Sequence, residues 1–319
     1  MKKTVQFLIC IVLVIAACAV LDFALYPCTY MRNDVHTVTT EQRDVLFLGT
    51  SNGKMNIDPD AALAGSGRTG HNLCNGNQYP LDSYHLLKLV IEKQKPSYVV
   101  FDVDPAVFVT EKTRGNNYLL FYHEFPFSRA KLSYFADTVA DCDLRAMLFP
   151  FYEYPLKTEL SRMNDTVFQK ATRNYDVSYL KGVTGEYHEN GFMERYPVAP
   201  ESFPAMSART FSEEALVAEN IHYLEKIIGL CKENGITFLA ASLPQSDVTL
   251  QTFPEAFDSA WAYFDHFFAS HGVDYYNFNT AHYDAFPHDV SRYVDYNGHM
   301  NGESARAFSE ALGSVLGFR

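Results

Sequence analysis

A serine near the amino end and an aspartate and a histidine near the carboxyl end could together perform nucleophilic chemistry. Ser51 lies in Gly-Thr-Ser-Asn-Gly (49–53), directly after the apolar segment 45–48, and Asp295 and His299 lie four residues apart. A serine hydroxyl attacks well only when an imidazole takes its proton and a carboxylate orients that imidazole. Taken alone, Ser51 also fits a simple turn, and His299 fits a hydrogen-bonded structural histidine. Their placement at the two ends of one domain predicts a Ser51, His299 and Asp295 catalytic triad.

The elements that must position these residues follow a repeating pattern. Short apolar segments alternate with amphipathic ones, which is typical of a parallel β-sheet covered by helices. The predicted strands are 45–48, 98–103, 236–243 and 273–278, and the predicted helices are 81–93, 212–235 and 303–316. In this order the first strand ends just before Ser51, and the last helix begins just after His299.

The amino end carries a long apolar segment. Residues 4–21 are almost uninterruptedly apolar, preceded by Lys2 and Lys3 and followed by Asp22. This length suits a membrane-spanning helix, and the lysines favour a cytoplasmic start. A cleaved signal peptide usually has a shorter apolar core, and apolar residues resume at 23–26. The sequence therefore predicts an uncleaved anchor, with the rest of the chain outside the cytoplasmic membrane.

The domain organisation predicted from these patterns has three parts. Residues 1–26 form the membrane anchor, 27–43 a linker and 44–319 an α/β domain. A stretch at about 111–211, rich in Tyr, Phe, Arg and Pro, is too long for a simple crossover and is expected to be an insertion. It could be a substrate-binding cap or an added structural layer. Lipid attachment at Cys18, which ends a lipobox-like Ile-Ala-Ala-Cys stretch, is an alternative to the anchor.

Charge and composition argue against several classes of function. The 319-residue chain has 38 acidic and 26 basic residues and a net charge of −12, without a basic tract, so no nucleic-acid partner is expected. The six cysteines show no Cys-x-x-Cys spacing. Asp102 and Asp104 at a strand end could be read as metal ligands, but the sequence places no third ligand beside them. No metal and no cofactor are predicted.

Three blocks of the sequence resemble a known family. The Gly-x-Ser-x-Gly pattern fits the nucleophile elbow of α/β-hydrolases, but Ser51 follows the first strand rather than a later one. Instead 47–51, 72–77 and 295–302 resemble the SGNH (GDSL-like) hydrolase superfamily, whose serine ends the first strand and whose Asp and His share one late loop. The resemblance implies a three-layer α/β/α, flavodoxin-like fold with a parallel sheet.

The resemblance also implies roles for the second block. The backbone amides of Ser51 and Gly76, with Asn77 or Asn75, would stabilise the oxyanion of a tetrahedral intermediate.

The chain departs from the family pattern in two places. Asp295 lies four residues before His299 rather than three, so the loop must accommodate Gly298, and Asp284 or Asp289 could replace Asp295 as the orienting acid. Asp104 stands where the family usually has an asparagine that donates to the oxyanion. An ionised carboxylate cannot donate a hydrogen bond, so the donors must be found elsewhere.

The expected function is that of an acyl esterase or O-acyltransferase. The resemblance is strongest in character to membrane-anchored relatives such as the D-alanyl-lipoteichoic acid transfer protein and polysaccharide O-acetyltransferases. It implies an acylated glycan or cell-envelope polymer as substrate and a membrane-bound O-acyltransferase as a partner. The alternative is a catalytically inactive scaffold that binds a glycan or a membrane partner, an interpretation that the aspartate at position 104 favours.

Overall fold

The computed structural model describes residues 2–112, 120–152, 163–172 and 183–319. The chain divides into two compact units. The first contains Met1–Arg32 and Thr113–Asp176, and the second contains Asn33–Lys112 and Val177–Arg319. The insertion predicted at about 111–211 is thus divided between the two units.

The second unit contains a five-stranded sheet in which all pairings are parallel. The strands in chain order are β1 (Val45–Leu48), β2 (Gly70–Asn72), β3 (Tyr98–Asp102), β4 (Gly185–Tyr187), β5 (Met193–Arg195), β6 (Thr237–Ser242) and β7 (Asp274–Asn277). The sheet order is β2-β1-β3-β6-β7, and β4 pairs with β5 in a separate antiparallel hairpin. This is a doubly wound order: β2 is added on one side of β1, and β3, β6 and β7 are added on the other side. Such a switch in strand order leaves a crevice at the carboxyl ends of β1 and β3.

Thirteen α-helices are described. They are α1 (Lys2–Leu25), α2 (Tyr30–Thr40), α3 (Ser51–Asn56), α4 (Pro59–Ala62), α5 (Pro80–Ile91), α6 (Pro105–Phe108), α7 (Arg129–Thr138), α8 (Leu144–Leu148), α9 (Met163–Thr172), α10 (Ala218–Asn234), α11 (Asp247–Thr252), α12 (Pro254–His271) and α13 (Gly302–Val315). Helices α1, α7, α8 and α9 belong to the first unit, and α3 to α6 and α10 to α13 belong to the second.

The central sheet is covered on both faces. Val45 and Phe47 of β1 join one buried apolar cluster that includes residues of α13, whereas Leu46 and Leu48 join a second that includes residues of α5, α10 and α12. Alternate side chains of a strand point to opposite faces, so both faces of the sheet are apolar. The second unit is therefore a mixed α/β domain compatible with three α/β/α layers.

Most of the predicted elements are present, with two differences. All four predicted strands form, but β2 was not predicted because it has only three residues, and His71 and Asn72 make it polar. The helix expected to start at Ser212 begins at Ala218, since Glu213–Ala215 forms a separate 3-10 turn. Gly235 ends that helix in the left-handed conformation (φ 63°), as its position predicted.

The first unit contains the apolar amino-terminal helix. The most apolar 18-residue window of helix α1 has a mean hydropathy of 2.9 and no buried residues. Helix α1 is long and apolar enough to span a membrane, although a signal sequence would share these properties.

The segment 27–43, predicted as a linker, contains helix α2, whose Val35 and Val38 are buried.

Candidate active site

Ser51 is the first residue of α3, immediately beyond the carboxyl end of β1. Thr50 caps this helix, because its hydroxyl accepts a hydrogen bond from the Asn52 amide. Gly49 has φ 148°, and a Cβ at this position would lie 2.4 Å from the Cβ of Asp102. A Cβ at Gly53 would lie 2.4 Å from the sulfur of Cys74. The two glycines of the Gly-x-Ser-x-Gly pattern are therefore required by close packing around the turn.

Asp102, at the end of β3, holds this turn in place. Its Oδ2 accepts hydrogen bonds from the Thr50 amide (3.0 Å), the Thr50 hydroxyl (2.7 Å) and the Gly53 amide (3.0 Å). Burial, and next the charge of Asp104, raise the pKa of Asp102 to about 6, although the three hydrogen bonds oppose this rise. Sequence reasoning considered Asp102 only as a possible metal ligand and missed this positioning role. Among the described residues, no group of three His, Cys, Asp or Glu side chains could hold a metal ion.

The raised pKa of Asp102 predicts a pH-dependent stability. The pKa rises from 3.8 to about 6 on folding, so the folded state binds a proton that the unfolded state has released. This contribution to stability is present below about pH 4 and is lost as the pH rises through about 6. Asp102→Asn keeps an acceptor oxygen but does not titrate. The free energy of unfolding of Asp102→Asn minus that of wild type should therefore increase by up to about 3 kcal/mol from pH 4 to pH 7. Urea unfolding of both proteins at both pH values measures this. An equal change in the free energy of unfolding of wild type and variant between the two pH values would contradict the prediction.

The structure brings the three predicted triad residues together. The Ser51 Oγ lies 2.9 Å from Nε2 of His299, and Nδ1 of the same ring lies 2.6 Å from Oδ2 of Asp295. In this arrangement Nδ1 donates to the carboxylate and Nε2 can accept the serine proton. Burial acts to raise the pKa of Asp295, but the hydrogen bond and charge of His299, together with backbone amides, lower it. Asp295 is thus ionised at neutral pH and can hold the imidazole in the required tautomer.

The loop accommodates the extra residue between Asp295 and His299. Gly298 adopts φ 93°, and a Cβ there would lie 2.4 Å from the side chain of Gln245. Asp295 Oδ1 accepts from the backbone amides of Asn297 (2.8 Å) and His299 (3.4 Å). The conformation of Gly298, which favours glycine, therefore lets Asp295 hydrogen-bond to His299 four residues later.

The alternative orienting acids are not used in this way. In the described part of the chain, neither Asp284 nor Asp289 hydrogen-bonds to His299, and Asp289 instead lies 3.8 Å from the Arg292 side chain.

Asn56 joins helix α3, which begins at Ser51, to the loop that carries His299, and the sequence did not predict this role. Its Nδ2 donates to the Gly298 carbonyl (2.7 Å), and its Oδ1 accepts from the Met300 amide (2.8 Å). These two bonds bracket His299, and Asn56 is fully buried. The partners lie more than 240 residues apart in the chain, so no local pattern pointed to this residue.

We expect Asn56 to act as a positioning residue. Asn56→Leu removes both bonds and leaves the Gly298 carbonyl and the Met300 amide unpaired, which should displace His299. A loss of kcat of about tenfold to a hundredfold is expected, because small misplacements of a catalytic group are costly. Steady-state kinetics on an activated ester measure this, with thermal unfolding as a check on folding. Asn56→Asp retains the acceptor for Met300 and should lose less kcat than Asn56→Leu; equal losses would contradict the positioning role.

The predicted oxyanion residues lie beside the nucleophile turn. The Asn75 amide donates to the Gly49 carbonyl (3.1 Å), which fixes this loop against the segment that leads to Ser51. Within the described residues, the backbone amides of Ser51 and Gly76 have no intramolecular acceptor. Asn77 is exposed with φ 58° and is held by Lys112, which donates to its carbonyl. Both amides can therefore donate to a group that is not part of the chain.

Asp104 has a local structural role. Its Oδ1 accepts from the Ala106 amide and caps α6, and its Oδ2 accepts from Nδ2 of Asn52 at 3.3 Å. Asn52 is buried, and its Oδ1 has no hydrogen-bond partner. The side-chain amide of Asn52, the residue after Ser51, is therefore directed at Asp104.

Three cavities have Arg209 in their walls. The first, next to the nucleophile, is lined by Asn52, Asp102, Val103, Asp104, Pro105, Arg209, Ser242, Leu243, Gln245, Phe257, Trp261 and Asn279. The next two, of about 170 Å³ and 460 Å³, also include Arg209 in their walls. Arg209 donates to the Tyr296 carbonyl (3.0 Å) in the loop between Asp295 and His299. Within the described part of the chain, Ser51, Asp295 and His299 line none of these three cavities, so the candidate site is located by the geometry of the triad and not by a cavity.

No model of a known protein family and no curated protein sequence matches this chain. The geometry of the site and the resemblance of the three sequence blocks are the features that point to a function.

Proposed function

We propose that the protein is an extracytoplasmic serine-dependent acyl esterase or O-acyltransferase of the SGNH type. The observation that carries the proposal is the pair of hydrogen bonds that links Ser51 to His299 and His299 to Asp295. Side chains from opposite ends of the chain meet in the geometry that activates a serine nucleophile. The position of Ser51 at the crevice between β1 and β3 agrees with where doubly wound sheets bind ligands.

The proposed reaction has two halves. Ser51 Oγ attacks the acyl carbonyl and its proton passes to Nε2 of His299, while Asp295 stabilises the imidazolium. The amides of Ser51 and Gly76, with Asn75 or Asn77, stabilise the oxyanion. The intermediate collapses, His299 protonates the leaving alcohol, and the acyl group stays on Ser51. Water or a glycan hydroxyl then attacks the acyl carbon and gives its proton to Nε2 of His299. The bond between the acyl carbon and Ser51 Oγ breaks, His299 returns the proton to Oγ, and the free acid or the acylated glycan leaves.

The proposed location follows from α1. With Lys2 and Lys3 on the cytoplasmic side, a retained α1 would place the α/β domain outside the membrane. An acylated glycan or cell-envelope polymer is then the substrate class, and a membrane-bound O-acyltransferase is the partner that could supply acyl groups. Lipidation at Cys18 would attach the domain to the same membrane by a different chemistry.

A fluorophosphonate probe tests the proposed nucleophile. The probe reacts with activated serines, so the native full-length protein should be labelled at Ser51. Ser51→Ala should abolish labelling, whereas Ser314→Ala, which removes an exposed serine of α13, should leave it unchanged. Absence of labelling in the native protein would overturn the proposed serine chemistry.

The second candidate is a catalytically inactive scaffold that binds a glycan or a membrane partner. Asp104 favours it, since this carboxylate replaces an oxyanion donor and caps α6 instead. The hydrogen-bonded triad favours an enzyme. Unlabelled native protein that still binds envelope glycan would support the scaffold, and labelled protein that turns over no ester would support a transferase that requires its own donor.

A further inference from the structure

The insertion holds the carboxyl end of α1. Lys170 of α9 donates hydrogen bonds to the carbonyl oxygens of Asp22 (3.1 Å), Phe23 (3.0 Å) and Tyr26. The Phe151 amide donates to the Asp22 side chain at 2.6 Å. The last carbonyls of a helix have no partner within the helix, and a cation there is favourable. The end of α1 is thus integrated into the first unit, which is unexpected for a segment that is removed.

Two helices beside this end expose apolar side chains. Helix α9 packs on α1, and the 3-10 turn Pro150–Tyr152 touches both α1 and α8. Phe168 of α9, two residues before Lys170, is 64 % exposed. Leu144 and Leu148 of α8 are also exposed and share one helix face because they lie four residues apart.

A third segment, residues 124–129, also contacts the chain near the carboxyl end of α1 and exposes an apolar side chain. Glu124 accepts hydrogen bonds from the Tyr26 hydroxyl (2.9 Å) and the Thr29 hydroxyl (2.8 Å), just beyond α1. Three residues later Phe127 is 87 % exposed, followed by the exposed Arg129 at the start of α7. Aromatic and apolar side chains interleaved with arginine are typical of segments that lie in a membrane interface.

The length of α1 indicates the depth at which these residues lie. At 1.5 Å per residue its 24 residues extend about 36 Å, slightly more than the hydrocarbon thickness of about 30 Å. If Lys2 and Lys3 lie at one interface, Asp22 to Tyr26 reach the other. The elements that contact this end are then held at the boundary between headgroups and acyl chains.

We propose that the first unit is a membrane-interface platform whose Phe127, Leu144, Leu148 and Phe168 side chains insert into the lipid bilayer around the exit of α1. The occupant of these apolar side chains is lipid, because they lie on segments that contact the carboxyl end of α1 or the 3-10 turn packed on it, and α1 is the only described helix that could span a membrane. The proposal depends on α1 being retained as an anchor and is independent of the serine chemistry at Ser51.

Tryptophan fluorescence tests the proposal on the full-length protein. The chain has a single tryptophan, Trp261, so a Trp261→Phe background is silent. Phe127→Trp, Leu148→Trp and Phe168→Trp are each introduced into this background. Each protein is reconstituted into phosphatidylcholine and phosphatidylglycerol vesicles without other proteins, and quenching by lipids brominated near the headgroup is measured. Thermal unfolding of each variant checks that the fold is kept.

Two further positions calibrate the result. Leu21→Trp lies near the carboxyl end of α1 and reports a residue at the interface, and Val248→Trp lies on an exposed position of α11 in the second unit. The three test positions should be quenched to about half of the Leu21→Trp level or more, as expected for side chains in the interface. Quenching no greater than that of Val248→Trp at all three positions would overturn the proposal and would favour a protein partner for this surface.

Discussion

Replacing Ser51 or His299 with alanine is expected to lower kcat for p-nitrophenyl acetate by about 10⁴-fold or more, because the proposed mechanism requires both the serine nucleophile and the histidine base. Asp295→Asn should lower kcat by about 10³-fold to 10⁴-fold, since the amide favours the wrong tautomer of His299. The measurement is steady-state turnover by the full-length protein in detergent. The combined Ser51→Ala and His299→Ala variant should be no slower than either single variant, because the two residues act as one unit.

Asp289→Asn is the matched control for the orienting acid. Asp289 is exposed and contacts Arg292 rather than His299, so kcat should remain close to wild type. A loss as large as that of Asp295→Asn would show that Asp289 orients the imidazole during turnover. Retention of more than about a tenth of the wild-type rate by Ser51→Ala would exclude Ser51 as the nucleophile.

The second large effect concerns a buried ion pair between helices α2 and α3. Lys54 of α3 lies 2.8 Å from Asp34 of α2, and both side chains are almost completely buried. Asp34 also contacts Nε2 of His71 (2.8 Å) and accepts from the Tyr187 hydroxyl (2.6 Å). Burial acts to raise the pKa of Asp34, but the charge of Lys54 and the contact with His71 lower it. Asp34 is therefore ionised in the folded protein.

Lys54→Met is expected to lower the free energy of unfolding by about 3–5 kcal/mol, because it leaves the Asp34 carboxylate buried without its cation. Urea unfolding in detergent, followed by circular dichroism, measures the loss. The combined Asp34→Asn and Lys54→Met variant should be less destabilised than Lys54→Met alone, since the unpaired charge is then removed. A double variant that is less stable than the single one would contradict this explanation.

Glu310→Gln is the control for a surface pair. Glu310 lies 3.5 Å from the Arg319 side chain and is 58 % exposed. Exposed ion pairs contribute about 0–1 kcal/mol because water and salt screen them. The change in the free energy of unfolding should therefore be within about 1 kcal/mol, and a loss comparable to that of Lys54→Met would show that burial is not the cause of the larger effect.

The sequence by itself determined the local features of the chain. The strand before Ser51, the amphipathic helix at Pro80–Ile91, the glycine that ends α10 and the apolar helix α1 all follow from residue spacing and backbone preference. These properties depend on neighbouring residues, which a single sequence displays directly. Residue chemistry likewise predicted which serine, histidine and aspartate would meet, since few side-chain types can activate a nucleophile.

Only the tertiary structure decided how these parts are held. Asn56 bridges to the histidine loop, Asp102 supports the turn at Thr50, and Lys54 pairs with Asp34, yet none of these residues belongs to a recognisable local pattern. Their roles arise where elements distant in the chain pack together and each buried polar group must find a partner. The choice of partner depends on which backbone segments become neighbours, and that is fixed by the packing of the whole unit rather than by residue spacing.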